Sequence, residues 1–364
     1  MSHMIEDNMI AWKGEEPWHG LGYKVPDNAT GEEMLNIAKL NWGVQRRSIA
    51  MRPSNGDKTT MLTAPLDGFR AIVRADNDHV FQVASSRFRP VQNAQIVDFF
   101  KRYCEAGHAT METVGGLKGG AIVWALARLN GTTDTSLGAD GKDEVRGYML
   151  LATGHDGSLQ TIGRPTQTRV VCWNTLSAAI GLSGGKLGKK DSREFRRKHT
   201  AEWSASIAAE AQKVMGMAIE QIQATNALAA ALTKVKVDGK GKIEFLRKLL
   251  NLDKEPVTTG DVVEPTPDEI DRVLASYESS VSEADVAGLG RVGQNILTAI
   301  YTSPGAKLAT ADGTLWGAVN GATFYADHMR GRSQDSRLTT AWFGAGDDLK
   351  SKAVEVAVEM AGIR

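Results

Sequence analysis

The sequence predicts an α+β fold: an antiparallel β-meander with inserted helices, followed by a mainly helical C-terminal half. Two observations carry that prediction. Up to about residue 182, short runs of β-branched and apolar residues alternate with turn signals such as Asn55-Gly56-Asp57, Asp76-Asn77-Asp78 and Gly115-Gly116, the pattern of strands joined by tight turns. Beyond residue 200 such signals thin out, and Ala-rich stretches with apolar residues at helical spacing take over. A hydrophobic content of 42% against 24% charged residues suits a globular chain with a sizeable core, so disorder is not expected. We read four segments: an α+β core over 4–182, a basic hinge with long helices over 183–255, a loop over 256–267 and a helical region over 268–364.

Met1-Ser2-His3 reads as a vector-derived scar, with Met4 as the natural start. A glycine- and aromatic-rich opening follows, from Trp12 through Pro17-Trp18-His19-Gly20-Leu21-Gly22. The first helix is expected from Thr30 to Leu40, because Thr30 with Glu33 makes a capping box. Strands are expected at Ser48–Arg52, Thr60–Thr63, Phe69–Val73 and Val80–Ala84. A helix over Asn93–Glu105 places Ile96, Phe99, Phe100 and Tyr103 at helical spacing. Strands resume at Thr110–Val114, Ala121–Arg128, Val145–Thr153 and Gln160–Arg164, and the stretch Thr168–Ile180 starts β-like and turns helical at Trp173. In the second half, helices are expected over Trp203–Val235, Lys242–Leu252, Asp268–Ser280, Asn295–Thr302, Thr314–Met329 and Thr339–Gly362.

Formal net charge is zero, with 43 basic and 43 acidic residues, yet the run Lys186–His199 holds seven Lys/Arg against only Asp191 and Glu194. Positive charge concentrated in this way suits phosphate contact and counterion release. The plain alternative is a solvated helix face on which Glu194 and Lys198 form an i,i+4 pair. Arg and Lys also lie near aromatics elsewhere: Arg46 and Arg47 after Trp42, Arg70 beside Phe69, Arg87 and Arg89 flanking Phe88, and Arg169 near Trp173. Single-strand binders combine a basic groove with stacking platforms of this kind.

Signatures of covalent or metal chemistry are missing. The seven histidines form no HxH, HxxxH or HExxH spacing, and neither Cys104 nor Cys172 belongs to a CxxC pair, so no metal ligand set, cofactor or catalytic residue is assigned. Two isolated cysteines suit reduced thiols in the cytoplasm. No apolar run approaches the roughly 20 residues that span a bilayer, so no membrane partner is expected. His155-Asp156-Gly157 reads as a turn between strands. An enzymatic alternative gathers Asp67, Glu112 and Asp156 around Mg²⁺ as a nuclease.

At Pro17-Trp18-His19-Gly20-Leu21-Gly22, at Arg169-Val-Val-Cys172-Trp173-Asn174-Thr175-Leu176, and along the tail from Ala318 through Asp327-His328 to Ala353, the chain resembles the phage- and plasmid-encoded family known as domain of unknown function 932. The resemblance implies a mobile-element protein acting in a bacterial cytoplasm. At the level of fold, the chain is also similar to phage single-strand annealing proteins of the Redβ, RecT and Erf kind, which assemble into rings or filaments and pair strands without ATP.

The resulting expectation is a DNA-recombination protein that binds single-stranded DNA and promotes ATP-independent annealing as a homo-oligomer, with a host single-strand-binding protein as a candidate partner. Its phosphate contacts are expected from Lys186, Lys189, Lys190, Arg193, Arg196, Arg197 and Lys198, helped by Arg164 and Arg169. The non-enzymatic alternative is an interaction or scaffold protein of the mobile element, its basic run meeting an acidic partner.

Overall fold

A computed structural model of the chain describes residues 9–14, 22–51, 64–131, 134–169, 174–177, 195–252, 281–331 and 334–363. Its contacts divide into two compact units. The first comprises Met1–Asn130, Met149–Arg164 and Ser192–Gly216, and the second Gly131–Tyr148, Pro165–Asp191 and Met217–Arg364. The α+β class is as the sequence predicts: antiparallel strands dominate the first part and helices the C-terminal half.

In the first unit, strands β1 (Ile10–Trp12) and β2 (Tyr23–Lys24) lead into helix α1 (Gly31–Ile37). The predicted capping box starts this helix: Glu33 N donates to Thr30 Oγ1 at 3.2 Å, and Thr30 N donates to Glu33 Oε2 at 2.6 Å. Next come β3 (Val44–Arg47), β4 (Ala50–Met51), β5 (Ala64–Pro65), β6 (Phe69–Arg74) and β7 (Val80–Ser85), where β3-β6-β7 form a three-stranded sheet and β4 pairs β5. The predicted strand Thr60–Thr63 lies outside the described residues. Helix α2 (Asn93–Glu105) has its predicted bounds and buries Ile96, Val97, Phe99 and Phe100. At its start the Gln92 side chain clamps β3, accepting from Val44 N at 2.8 Å and donating to Val44 O at 3.0 Å.

The hairpin of β8 (Ala109–Leu117) and β9 (Ile122–Leu129) turns at Lys118–Ala121. Glycine is required in β8 because a Cβ at Gly115 would lie 2.5 Å from the Trp124 ring. The chain then enters the second unit for β10 (Thr135–Ser136), and β11 (Glu144–Gly154) brings it back. It leaves again along β12 (Thr161–Arg169) for β13 (Asn174–Ser177), and returns with β14 (Phe195–Arg197) and the start of helix α3 (Ala205–Leu232). Within the first unit the large sheet runs β2-β1-β8-β9-β11-β12, with β14 antiparallel to the start of β12. Asn174–Ser177, expected to be helical, is instead a strand antiparallel to Thr166–Arg169. Pairing with the preceding strand decides that conformation over local propensity.

The second unit is mostly helical: α4 (Gly239–Leu250), α5 (Glu283–Ala287), α6 (Gly290–Thr302), α7 (Leu315–Phe324), a π-helical turn (Tyr325–Met329), α8 (Gln334–Phe343) and α9 (Ala345–Ala361). Asp238 and Thr314 cap α4 and α7, accepting from Gly241 N at 2.8 Å and Gly317 N at 3.1 Å. The core gathers Phe245, Leu246, Ile296, Leu297, Trp316, Val319, Tyr325 and Val354. Within it, Lys350 Nζ meets Asp327 at 2.8 Å, with the two side chains 3% and 1% exposed. The helix expected over Thr339–Gly362 is two helices. They part at Gly344, whose extended φ of −147° leaves the helical region. The helix expected at Asp268–Ser280 lies outside the described residues. Among the described residues no helix is long and apolar enough to cross a membrane.

Candidate nucleic-acid interface

The end of the predicted basic run, Phe195–Arg197, is a strand. Arg197, Arg196 and Phe195 pair with Thr161, Ile162 and Gly163, so this part of the run is extended, and Glu194 of the alternative ion pair lies outside the described residues. Alternation sets the side-chain directions. Phe195 is buried against Trp203, their rings 6.0 Å apart, and Trp203 in turn meets Phe99 of α2. Arg196, on the opposite face, is exposed, while Arg197 is half-buried on the Phe195 side. Phe195 therefore anchors the strand and fixes where its cations emerge. Lys198 is exposed directly after it, and His199 turns inward.

His199 joins this strand to the loop after β7. Its ring stacks on Phe88 at 4.8 Å with 24° between planes, and its carbonyl accepts from Arg89 N at 2.8 Å. Its Nε2 lies 3.2 Å from Leu159 O, tying in the 155–160 loop as well. Two arginines hold the Phe88 loop. Arg46 Nη1 donates to the carbonyls of Ser86 and Phe88 at 3.1 and 3.3 Å, and Arg89 Nη1 donates to the same carbonyls at 2.8 and 3.2 Å. Beneath the loop, Gln82 Nε2 donates to His155 O at 2.7 Å. His155 is fully buried, and its Nε2 lies 3.0 Å from Asn93 Oδ1. Because Asn93 Nδ2 donates to Leu40 O and Trp42 O, Oδ1 is the acceptor and His155 carries its proton on Nε2. Desolvation, with the nearby His199 adding to it, pushes the His155 pKa down to about 3, and burial lowers that of His199 too. Both rings are thus neutral structural pieces at ordinary pH.

Between these three segments opens a cleft of about 290 Å³, lined among others by Gln82, Arg87, Phe88, Gln160 and Lys198. Arg87 and Lys198 are exposed on it and have no ion-pair partner among the described residues. The arrangement offers positive charge that has no ion-pair partner among the described residues, beside an aromatic ring and amide side chains, which is the chemistry that holds a phosphodiester strand.

Of the predicted contact residues, Arg196 and Lys198 are exposed, and Arg197 between them is partly covered. Arg164 is 7% exposed within a strand whose residues from Thr161 to Thr168 are all buried, which takes it out of a surface contact set. Arg169 ends β12 opposite Asn174. Lys186, Lys189, Lys190 and Arg193, like Cys172, lie outside the described residues. The carboxylates of the nuclease alternative do not converge: among the described residues no three His, Cys, Asp or Glu side chains form a group able to hold a metal ion. Asp156 instead accepts from Ser158 N and Oγ, and Glu112 faces Arg128 at 3.8 Å. Sequence reasoning did not single out Gln82, Gln160 or the Phe88–His199 stack, because their segments are far apart in the chain and none carries a motif.

Residues 80–342 match the family model described as Domain of unknown function (DUF932). No curated protein and no solved structure matches the chain.

Proposed function

The chain belongs to the DUF932 family, and from that premise and the cleft's geometry we propose that it binds single-stranded DNA along the β14 edge of its first unit. In this reading it promotes ATP-independent strand annealing as an oligomer, in the service of a phage or other mobile element in a bacterial cytoplasm. The observation that carries the proposal is the pair of exposed cations, Arg87 and Lys198, which lack ion-pair partners among the described residues and flank a cleft containing Phe88. Arg196 extends the positive charge along β14. Annealing asks only that the backbone charge of two strands be neutralised while base edges remain available, so it needs neither nucleophile nor metal. A pairing assay tests it: two complementary oligonucleotides carrying a donor and an acceptor dye should pair faster with the protein present, without ATP or divalent metal. Pairing at the protein-free rate, under conditions where the protein is in excess, would refute the annealing step.

One observation favours a second reading, an interaction or scaffold protein. Phe69, Val80 and Val83 on β6 and β7 are 46%, 52% and 55% exposed, and among the described residues β7 pairs with β6 alone. An uncharged edge strand with exposed apolar side chains is a template for another chain. A protein that oligomerises yet retains no oligonucleotide at low salt would favour this reading over the first.

A further inference from the structure

We infer that the cleft beside Phe88 is a nucleobase pocket, which takes one base of a single strand out of its stack while Arg87 and Lys198 hold the flanking phosphates. The inference rests on the single-strand reading above and adds to it what the cleft itself recognises. Its volume, about 290 Å³, falls just below the range of pockets that enclose drug-sized ligands and suits a smaller planar group. The walls are mixed in the way a base requires. Phe88 offers a ring for stacking, and Gln82, Gln160, Ser85 and Thr200 bring amide and hydroxyl groups that can meet base edges.

The pocket is also rigidly built. Phe88 is fixed by its stack on His199 and by Arg46 and Arg89 on its carbonyl. Gln82 is held by its bond to His155 O, which leaves its Oε1 to accept. Gly157 forms part of the wall as bare backbone with φ +78°, and a Cβ there would come within 2.8 Å of Gln82 Oε1. Side chains with fixed rotamers lose little freedom when a ligand arrives. A duplex keeps its bases stacked and paired and offers only phosphates to this surface, so the pocket distinguishes single strands from duplexes by chemistry as well as by charge.

The test compares two oligonucleotides of equal length and charge by fluorescence anisotropy at 50 mM salt: a labelled oligothymidylate and its counterpart built entirely of abasic sites. Stacking of one base predicts that the full protein binds the thymidylate at least about fivefold more tightly. In Phe88→Leu, the preference should shrink severalfold while the salt dependence stays that of the parent protein. Equal affinities of the native protein for the two oligonucleotides would overturn the pocket and leave backbone binding standing. Binding of neither would overturn the single-strand reading and the pocket with it. Because the comparison is made first on the unaltered protein, misfolding of the variant does not protect the inference.

Discussion

Replacing Arg87 and Lys198 together by glutamine removes the two cleft cations that have no ion-pair partner among the described residues, and the size of the effect follows from counterion release. On single strands each phosphate contact contributes a slope of about −0.7 in log K against log salt. Two lost contacts therefore flatten the slope by about 1.4. Measured from a reference of about 1 M salt, where the release term vanishes, two contacts are worth about sixtyfold in affinity at 50 mM and about tenfold at 200 mM. Because both side chains are exposed, the substitution should leave stability within about 0.5 kcal/mol of the parent. The assay is anisotropy of a labelled oligonucleotide across that salt range, with a urea titration as the control for folding. An unchanged slope in the double variant would show that neither side chain touches a phosphate, whatever the absolute affinity.

Three further outcomes are expected. His155 is neutral and buried, its pKa lowered to about 3, whereas the unfolded imidazole titrates near about 6.5; the unfolded state takes up the proton between those values, so stability is lost as pH falls through that window. At pH 5 this one group accounts for about 2 kcal/mol relative to pH 7, and urea midpoints of His155→Gln should show a correspondingly weaker loss between the two pH values. Lys350→Met removes the ammonium that pairs with the buried Asp327 carboxylate and should cost about 3–5 kcal/mol in urea unfolding, much of it recovered by adding Asp327→Leu. Gly115→Ala places a methyl 2.5 Å from the Trp124 ring and should lower stability by about 1–3 kcal/mol, with a change in tryptophan emission; an unaltered melting temperature would contradict the packing described for β8 and β9.

Local signals were legible where the chain carries its own instructions. The Thr30–Glu33 box, the amphipathic helix Asn93–Glu105 and the β8–β9 hairpin each depend on residues within one element or one turn. Asn174–Ser177 could not be read correctly because its conformation is set by Thr166–Arg169 across the strand pair. The basic run revealed its charge but not its form. Seven cations suggest a solvated arm or helix, and it takes the pairing of Phe195–Arg197 with Thr161–Gly163 and the burial of Phe195 against Trp203 to show that its end is pinned as a strand. Arg164 shows the converse limit: a lone cation reads as surface, and it lies in β12, where both faces of the strand from Thr161 to Thr168 are buried. The cleft was illegible for a related reason. Gln82–Phe88, Gly157–Gln160 and Lys198–Thr200 meet only because β12 and β14 pair and His199 reaches Phe88 and Leu159, and no periodicity records such a meeting.

The central claim, that this surface binds single-stranded DNA, is met most directly by titrating the unaltered protein against a labelled single-stranded oligonucleotide at 50 and 200 mM salt, without nucleotide or metal. The account predicts saturable binding that weakens by at least about sevenfold between the two conditions, as two or more phosphate contacts require, and a lower affinity for the matching duplex. No binding at 50 mM salt, or binding indifferent to salt, would contradict it.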